Sequence, residues 1–222
     1  MVNTVILGWV ASLAALAAMV LGHLGSHGLS WQANQISTYA ARAPNDVFVT
    51  AAMLLAATGL LAIGILVSRY RLFGPGYWVH LGPLLAGAAA AGLVLLACYE
   101  ETAASLALLE QSGFQAIRQQ SFHDAGLQVF FYSGLLLVAA LGLFSLLDAK
   151  ALAERLLGIV ILALAPASFL LMTTPWTQVI GLAGATTGLQ QRAALLCLWL
   201  AMVCVLAMAS DRRRRLRARR IR

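Results

Sequence analysis

The sequence predicts an all-α protein that crosses a membrane six times, and three observations predict it. First, 61% of the 222 residues are hydrophobic and only 10% are charged, whereas soluble domains carry about 45–50% apolar and about 25% charged residues. A soluble fold of this size cannot hide that much apolar surface, but a bilayer can solvate it. Second, six apolar segments stand out, each near the roughly 20 residues that a helix needs to cross a hydrocarbon core of about 30 Å. Third, the basic residues divide unequally between the segments' two sides, which gives the bundle a direction.

The segments are 5–22, 47–67, 79–99, 125–147, 156–173 and 193–209, none with an internal Asp, Glu, Lys or Arg. The first lacks a basic leader and is long for a signal-peptide core of about 7–15 residues, so it reads as an uncleaved first span. The third carries Pro83 in its first turn, where proline is harmless, and the fifth carries Pro166, which predicts a kink. Residues 1–211 read as one six-helix domain, and residues 212–222 as an arginine-rich tail. Gly82, Ala86 and Ala90 fall four apart, as do Gly184 and Gly188. That spacing lets helix backbones approach closely, within the bundle first and at a dimer face as the alternative.

Arg69 and Arg71 follow the second span, Lys150 and Arg155 the fourth, and eight arginines close the chain. Only Arg42, Arg118 and Arg192 fall on the opposite side, so twelve of fifteen basic residues share one side. The positive-inside rule makes that side cytoplasmic and puts both termini there. The formal charge of +7 belongs to the tail, and without it the chain is close to neutral. A basic run directly after an apolar helix anchors to anionic headgroups, here through Arg212, Arg213, Arg214 and Arg215. Membrane lipids are therefore the expected partners, and no nucleic acid is expected. Cys98, Cys197 and Cys204 lie in apolar stretches without ligand spacing and read as buried thiols.

The two long loops, 23–46 and 100–124, fall on the outer face. The second contains a run, 103–110, that reads as a short interfacial helix. Loops longer than needed more often carry function, and most of the ionisable groups gather beside them. His23 and His27 end the first span, four apart, and Glu100 and Glu101 end the third. His123 and Asp124 begin the fourth with Gln128 one turn on, and Arg192 begins the sixth. His23, His27 and His123 with a carboxylate would suit zinc or copper, and a metal-bound water with Glu100 or Asp124 as base would make a hydrolase. Against this stand histidines that bond to headgroups and a salt bridge from Arg192 to the adjacent carboxylates. Haem is disfavoured because its two axial histidines need facing helices at equal depth, and His80 lies at the other end. No Gly-rich phosphate loop, GxSxG, HExxH or Walker pattern is present.

Four stretches in order resemble the bacterial and archaeal membrane family known as domain of unknown function 998. They are Ile36-Ser37-Thr38-Tyr39 before the second span, the Ala- and Gly-rich third span, Phe122-His123 entering the fourth, and Gly181-Leu182-Ala183-Gly184 followed by Gln190-Gln191-Arg192 and a span containing Trp199. The family's Glu before the arginine is Gln191 here. The resemblance implies a six-helix bundle in the bacterial or archaeal cytoplasmic membrane and singles out Ser37, Tyr39, His123 and Arg192 as an outer-face cluster. It implies no reaction. The function expected is a non-enzymatic accessory subunit of a larger complex, or a lipid- or small-ligand-binding bundle, as a monomer or homodimer. The alternatives are the metal-dependent hydrolase or metal-binding protein and a small permease.

Overall fold

Apolar segments in hydrocarbon have no water to satisfy their backbone, so they close their hydrogen bonds within themselves as helices. A computed structural model of the chain shows six such helices. It describes residues 3–24, 36, 46–72, 78–99, 114–148, 152–173 and 187–221, leaving aside the side chains of 46, 78, 114–120, 148, 187, 217 and 219–221. The helices are α1 (Thr4–Leu24), α2 (Asp46–Arg69), α3 (Trp78–Cys98), α4 (Phe114–Asp148), α5 (Leu152–Thr173) and α6 (Thr187–Ile221). Among the described residues there is no strand. All six are long and apolar enough to cross a membrane, which makes this a multi-pass membrane protein.

Each helix packs on its neighbour in sequence, from α1 on α2 through to α5 on α6, and α6 also touches α1, α2 and α4. The core runs through α2 (Val49, Leu60, Ile63, Leu66), α3 (Ala86, Ala89), α4 (Leu137, Leu141), α5 (Ile161) and α6 (Leu206), all buried. Leu13, Leu61, Leu136 and Leu170 point outward and stay exposed, as a lipid-facing surface requires. Ala86 packs against Gly64 on α2, so the small-residue ladder of α3 is used inside the bundle. Gly184 and the 103–110 run lie outside the described residues.

Two helices extend well past their predicted spans. Residue 114 begins α4, so His123 and Asp124 lie more than two turns inside the helix, while still at the start of its apolar span, which runs from Ser121 to Leu147. The sixth helix runs on to Ile221, so the arginine tail is its last turns. At 1.5 Å per residue each of these 35-residue helices is about 52 Å long, against a hydrocarbon core of about 30 Å. They overhang at opposite ends. Pro83, expected to be harmless, is the sixth residue of α3, past the four N–H groups that lack a partner within the helix, so it removes one backbone hydrogen bond.

Both ends of the described chain meet on one side. Arg213 donates to Asn3 Oδ1, and Trp9 Nε1 donates to Ser210 Oγ at 3.2 Å. There α2 ends in a Schellman turn, with Arg71 in the left-handed region (φ 50°) and the N–H of Leu72 returning to Val67 O at 3.0 Å. Arg212 reaches the last carbonyl of that turn, Tyr70 O, at 3.1 Å, and the carboxylate of Glu154 at 3.4 Å. Glu154 is buried at the start of α5 and also lies 3.7 Å from Arg215, which bonds in turn to Asp211. The arginines expected to meet headgroups thus have protein partners: Arg212, Arg213 and Arg215 lock α6 to α1, α2 and α5.

Candidate functional site

The opposite end is built around a close crossing of α3 and α4. A Cβ on Gly92 would lie 2.7 Å from Gly126 O, and closer still to Phe130 N; one on Gly126 would lie 3.0 Å from Gly92 O. Only glycine on both helices allows this approach. It brings the start of the apolar part of α4 against the end of α3, where Phe122 stacks on Tyr99 with ring centroids 4.8 Å apart. One residue on, His123 Nδ1 donates to Tyr99 O at 2.8 Å. That carbonyl follows the last turn of α3 and has no partner within the helix, so the imidazole caps it. His123 is only 4% exposed.

On the facing side, Gln191 and Arg192 sit in the second turn of α6. Gln191 is buried, and its Oε1 accepts the N–H of Ile36 at 2.8 Å, fixing that residue of the 25–45 connection against the bundle. Arg192 donates from Nε and Nη2 to His23 Nε2 at 3.1 and 2.7 Å, and from Nη1 to Gly188 O at 2.9 Å. The other nitrogen of His23, Nδ1, lies 2.6 Å from Met19 O. A carbonyl only accepts and a guanidinium only donates. His23 is therefore the neutral tautomer with its proton on Nδ1, and both ring nitrogens are engaged.

Between these groups lies a cavity of about 320 Å³ lined by α1, α2, α3, α4 and α6. Its wall is Met, Leu, Ala and aromatic carbon, with Met19, Met53, Leu93, Leu127, Phe130 and Met202 among it. His123, Gln191, Arg192 and the Trp199 indole bring the polar atoms. Trp199 Nε1 donates to Ser12 O at 3.3 Å, so, besides the Trp9–Ser210 bond toward the basic end, α6 is tied to α1 at two levels, by His23–Arg192 and by Ser12–Trp199. Leu16 on α1 and Leu196 on α6 lie between those ties, line the cavity and are exposed at 39% and 49%. At that seam the chamber meets the lipid-facing surface.

The predicted residues divide as follows. His23, His123 and Arg192 come to one end of the bundle, opposite the arginines, and the last two line the chamber. Asp124 and Gln128 are exposed on the other side of α4 and do not line it. Ser37, Tyr39, Glu100, Glu101 and His27 lie outside the described residues. Among the described residues no three His, Cys, Asp or Glu side chains come together, and His23 is engaged by Arg192. The sequence reading missed Gln191, noticed only as a departure from a family glutamate, and Glu154, which lies just before the predicted fifth span. Their signal was position alone: a polar residue one place from an end-of-span arginine, and a lone acid among arginines.

The family model described as protein of unknown function (DUF998) matches residues 9–208, which span all six helices. The chain belongs to that family. No curated protein and no solved structure matches it.

Proposed function

We propose that this DUF998 chain binds a lipid-derived amphiphile, with the apolar part in the chamber and the polar end at His123, Gln191 and Arg192. The observation that supports this most is the chamber's composition and place: apolar on five helices, polar at one end, and opening between α1 and α6 toward hydrocarbon. Its volume is at the lower end of small-ligand pockets, about 300–1,000 Å³. Left as vacuum it would forfeit roughly 8 kcal/mol at about 24 cal/mol per Å³, comparable with a whole domain's stability of about 5–15 kcal/mol. Water is a poor filling for walls with so few polar partners. Hydrocarbon is the filling that the surroundings supply.

The basic end would face the cytoplasm of a bacterial or archaeal cell, and the chamber's polar end the outside, in keeping with the positive-inside rule. Whether the bundle acts alone or as an accessory subunit does not alter the chemistry of the chamber. A catalytic reading has less support, because the unprotonated ring nitrogen of His23 accepts from Arg192.

The test is lipid analysis of the chain purified in mild detergent, beside Ala56→Phe, which fills the chamber, and Leu196→Trp, which blocks its mouth. A tightly retained amphiphile in the parent chain, depleted in both variants while they remain folded, is the expected result. Equal retention in all three would refute the chamber as the binding site.

A further inference from the structure

We infer that the polar end of the chamber recognises an uncharged hydroxyl, so that the ligand class is a single-chain amphiphile ending in an alcohol. This rests on the chamber reading above and makes it specific. The inference follows from where the hydrogens must be. Tyr99 O can only accept, so Nδ1 of His123 carries a proton, and the neutral imidazole then has its lone pair at Nε2. The Ile36 N–H can only donate, so Gln191 turns its Oε1 toward it and keeps its NH₂ group for other work. Both residues line the chamber, at 4% and 8% exposure. Among the described residues nothing bonds to His123 Nε2 or to Gln191 Nε2.

Buried polar atoms of this kind are normally satisfied. The chamber thus offers one acceptor and one donor group at its polar end. Among groups an amphiphile can carry, a hydroxyl is the smallest that answers both, as a water would: its O–H donates to His123 Nε2 while its oxygen accepts from Gln191 Nε2. An ether answers only the donor, and a hydrocarbon neither. An ionised carboxylate turns a second set of lone pairs on His123 Nε2, and an ammonium leaves Gln191 without an acceptor. Three of the five N–H groups of Arg192 are directed at His23 or Gly188, and dodecanoate in the test below reports whether the guanidinium draws an anion instead.

The test is competition for the full-length chain in detergent among 1-dodecanol, dodecyl methyl ether and dodecanoate, read as relative adduct populations by native mass spectrometry. The alcohol should exceed the ether by about ten- to a hundred-fold, the span expected for one or two net hydrogen bonds. His123→Asn, whose amide keeps a donor for Tyr99 O, and Gln191→Leu should each bring the ratio toward one without lowering ether binding. Circular dichroism and melting of each variant separate loss of fold from loss of preference. If alcohol and ether bind equally to the parent chain, or dodecanoate binds best, the hydroxyl assignment is overturned and the chamber reading stands. If none of the three binds, both fall.

Discussion

The glycine crossing of α3 and α4 should be the bundle's least forgiving contact, and Gly92→Ala measures it. The added methyl would sit 2.7 Å from Gly126 O, where ordinary contact begins at 3.4 Å. The two backbones must therefore part by at least about 0.7 Å, and backbone cannot rotate away as a side chain can. A gap of about 0.5–1 Å forfeits a quarter to a half of each van der Waals contact along the interface. Overpacking of this kind costs about 1–3 kcal/mol, offset by about 0.5–1 kcal/mol for alanine over glycine in a helix. Net destabilisation of about 0–2.5 kcal/mol follows from those two figures, and the gap to a control that gains the alanine propensity alone is about 1–3 kcal/mol. Gly87→Ala on the same helix is the control, since its Cβ would meet nothing within 4 Å; it should be neutral or stabilising. Unfolding by SDS titration in mixed micelles gives both values. Equal stabilities for the two variants would refute the reasoning, because the only difference between them is what the methyl meets.

Four further outcomes are expected. Arg71→Gly relieves the left-handed backbone at the end of α2 and should stabilise by about 1 kcal/mol in the same titration. Arg212→Ala should cost more than Glu154→Gln, about 3 against about 1–2 kcal/mol, because the first leaves a buried carboxylate and Tyr70 O short of a partner while the second leaves a partly exposed arginine that keeps Tyr70 O. A double-mutant cycle between His23→Ala and Arg192→Ala should give a coupling of about 1 kcal/mol or more, since they share two hydrogen bonds. In a background without native cysteines, Ser121→Cys should label from outside the cell and Ala218→Cys only after permeabilisation; the reverse would invert the assigned orientation.

The six helices were legible because hydrophobicity in long runs has only one meaning in a bilayer. The extent of α4 and α6 was not, because their overhangs are made of residues such as Gln115, Arg118, Arg213 and Arg214, which form helix without being apolar. Part of the site was also legible: His23, His123 and Arg192 were expected at one end, and their contacts lie there. Grouping Asp124 and Gln128 with His123 failed for a geometric reason. With about 100° per residue, position 124 lies about 100° and position 128 about 140° from His123 around the helix. Positions 127 and 130 lie within about 40°, and Leu127 and Phe130 are the neighbours that line the chamber. The position of Gln191 was legible but its role was not, since its partner, the N–H of Ile36, is 155 positions away.

The two ends of the bundle solve one problem with different residues. The last carbonyls of a helix have no partner within it, and here side chains from other helices take them: Arg212 takes Tyr70 O at the basic end and His123 takes Tyr99 O at the other. An arginine can do this only by adding charge. An imidazole can do it without adding charge and keeps a second nitrogen, so His123 can serve structure through Nδ1 and the chamber through Nε2. His123→Ala therefore cannot separate the two roles, since it uncaps α3 and empties the site together. His123→Asn can. Stability within about 1 kcal/mol of the parent, together with loss of alcohol preference, would assign Nε2 to the ligand. An unchanged preference in a folded Asn variant would confine His123 to capping α3.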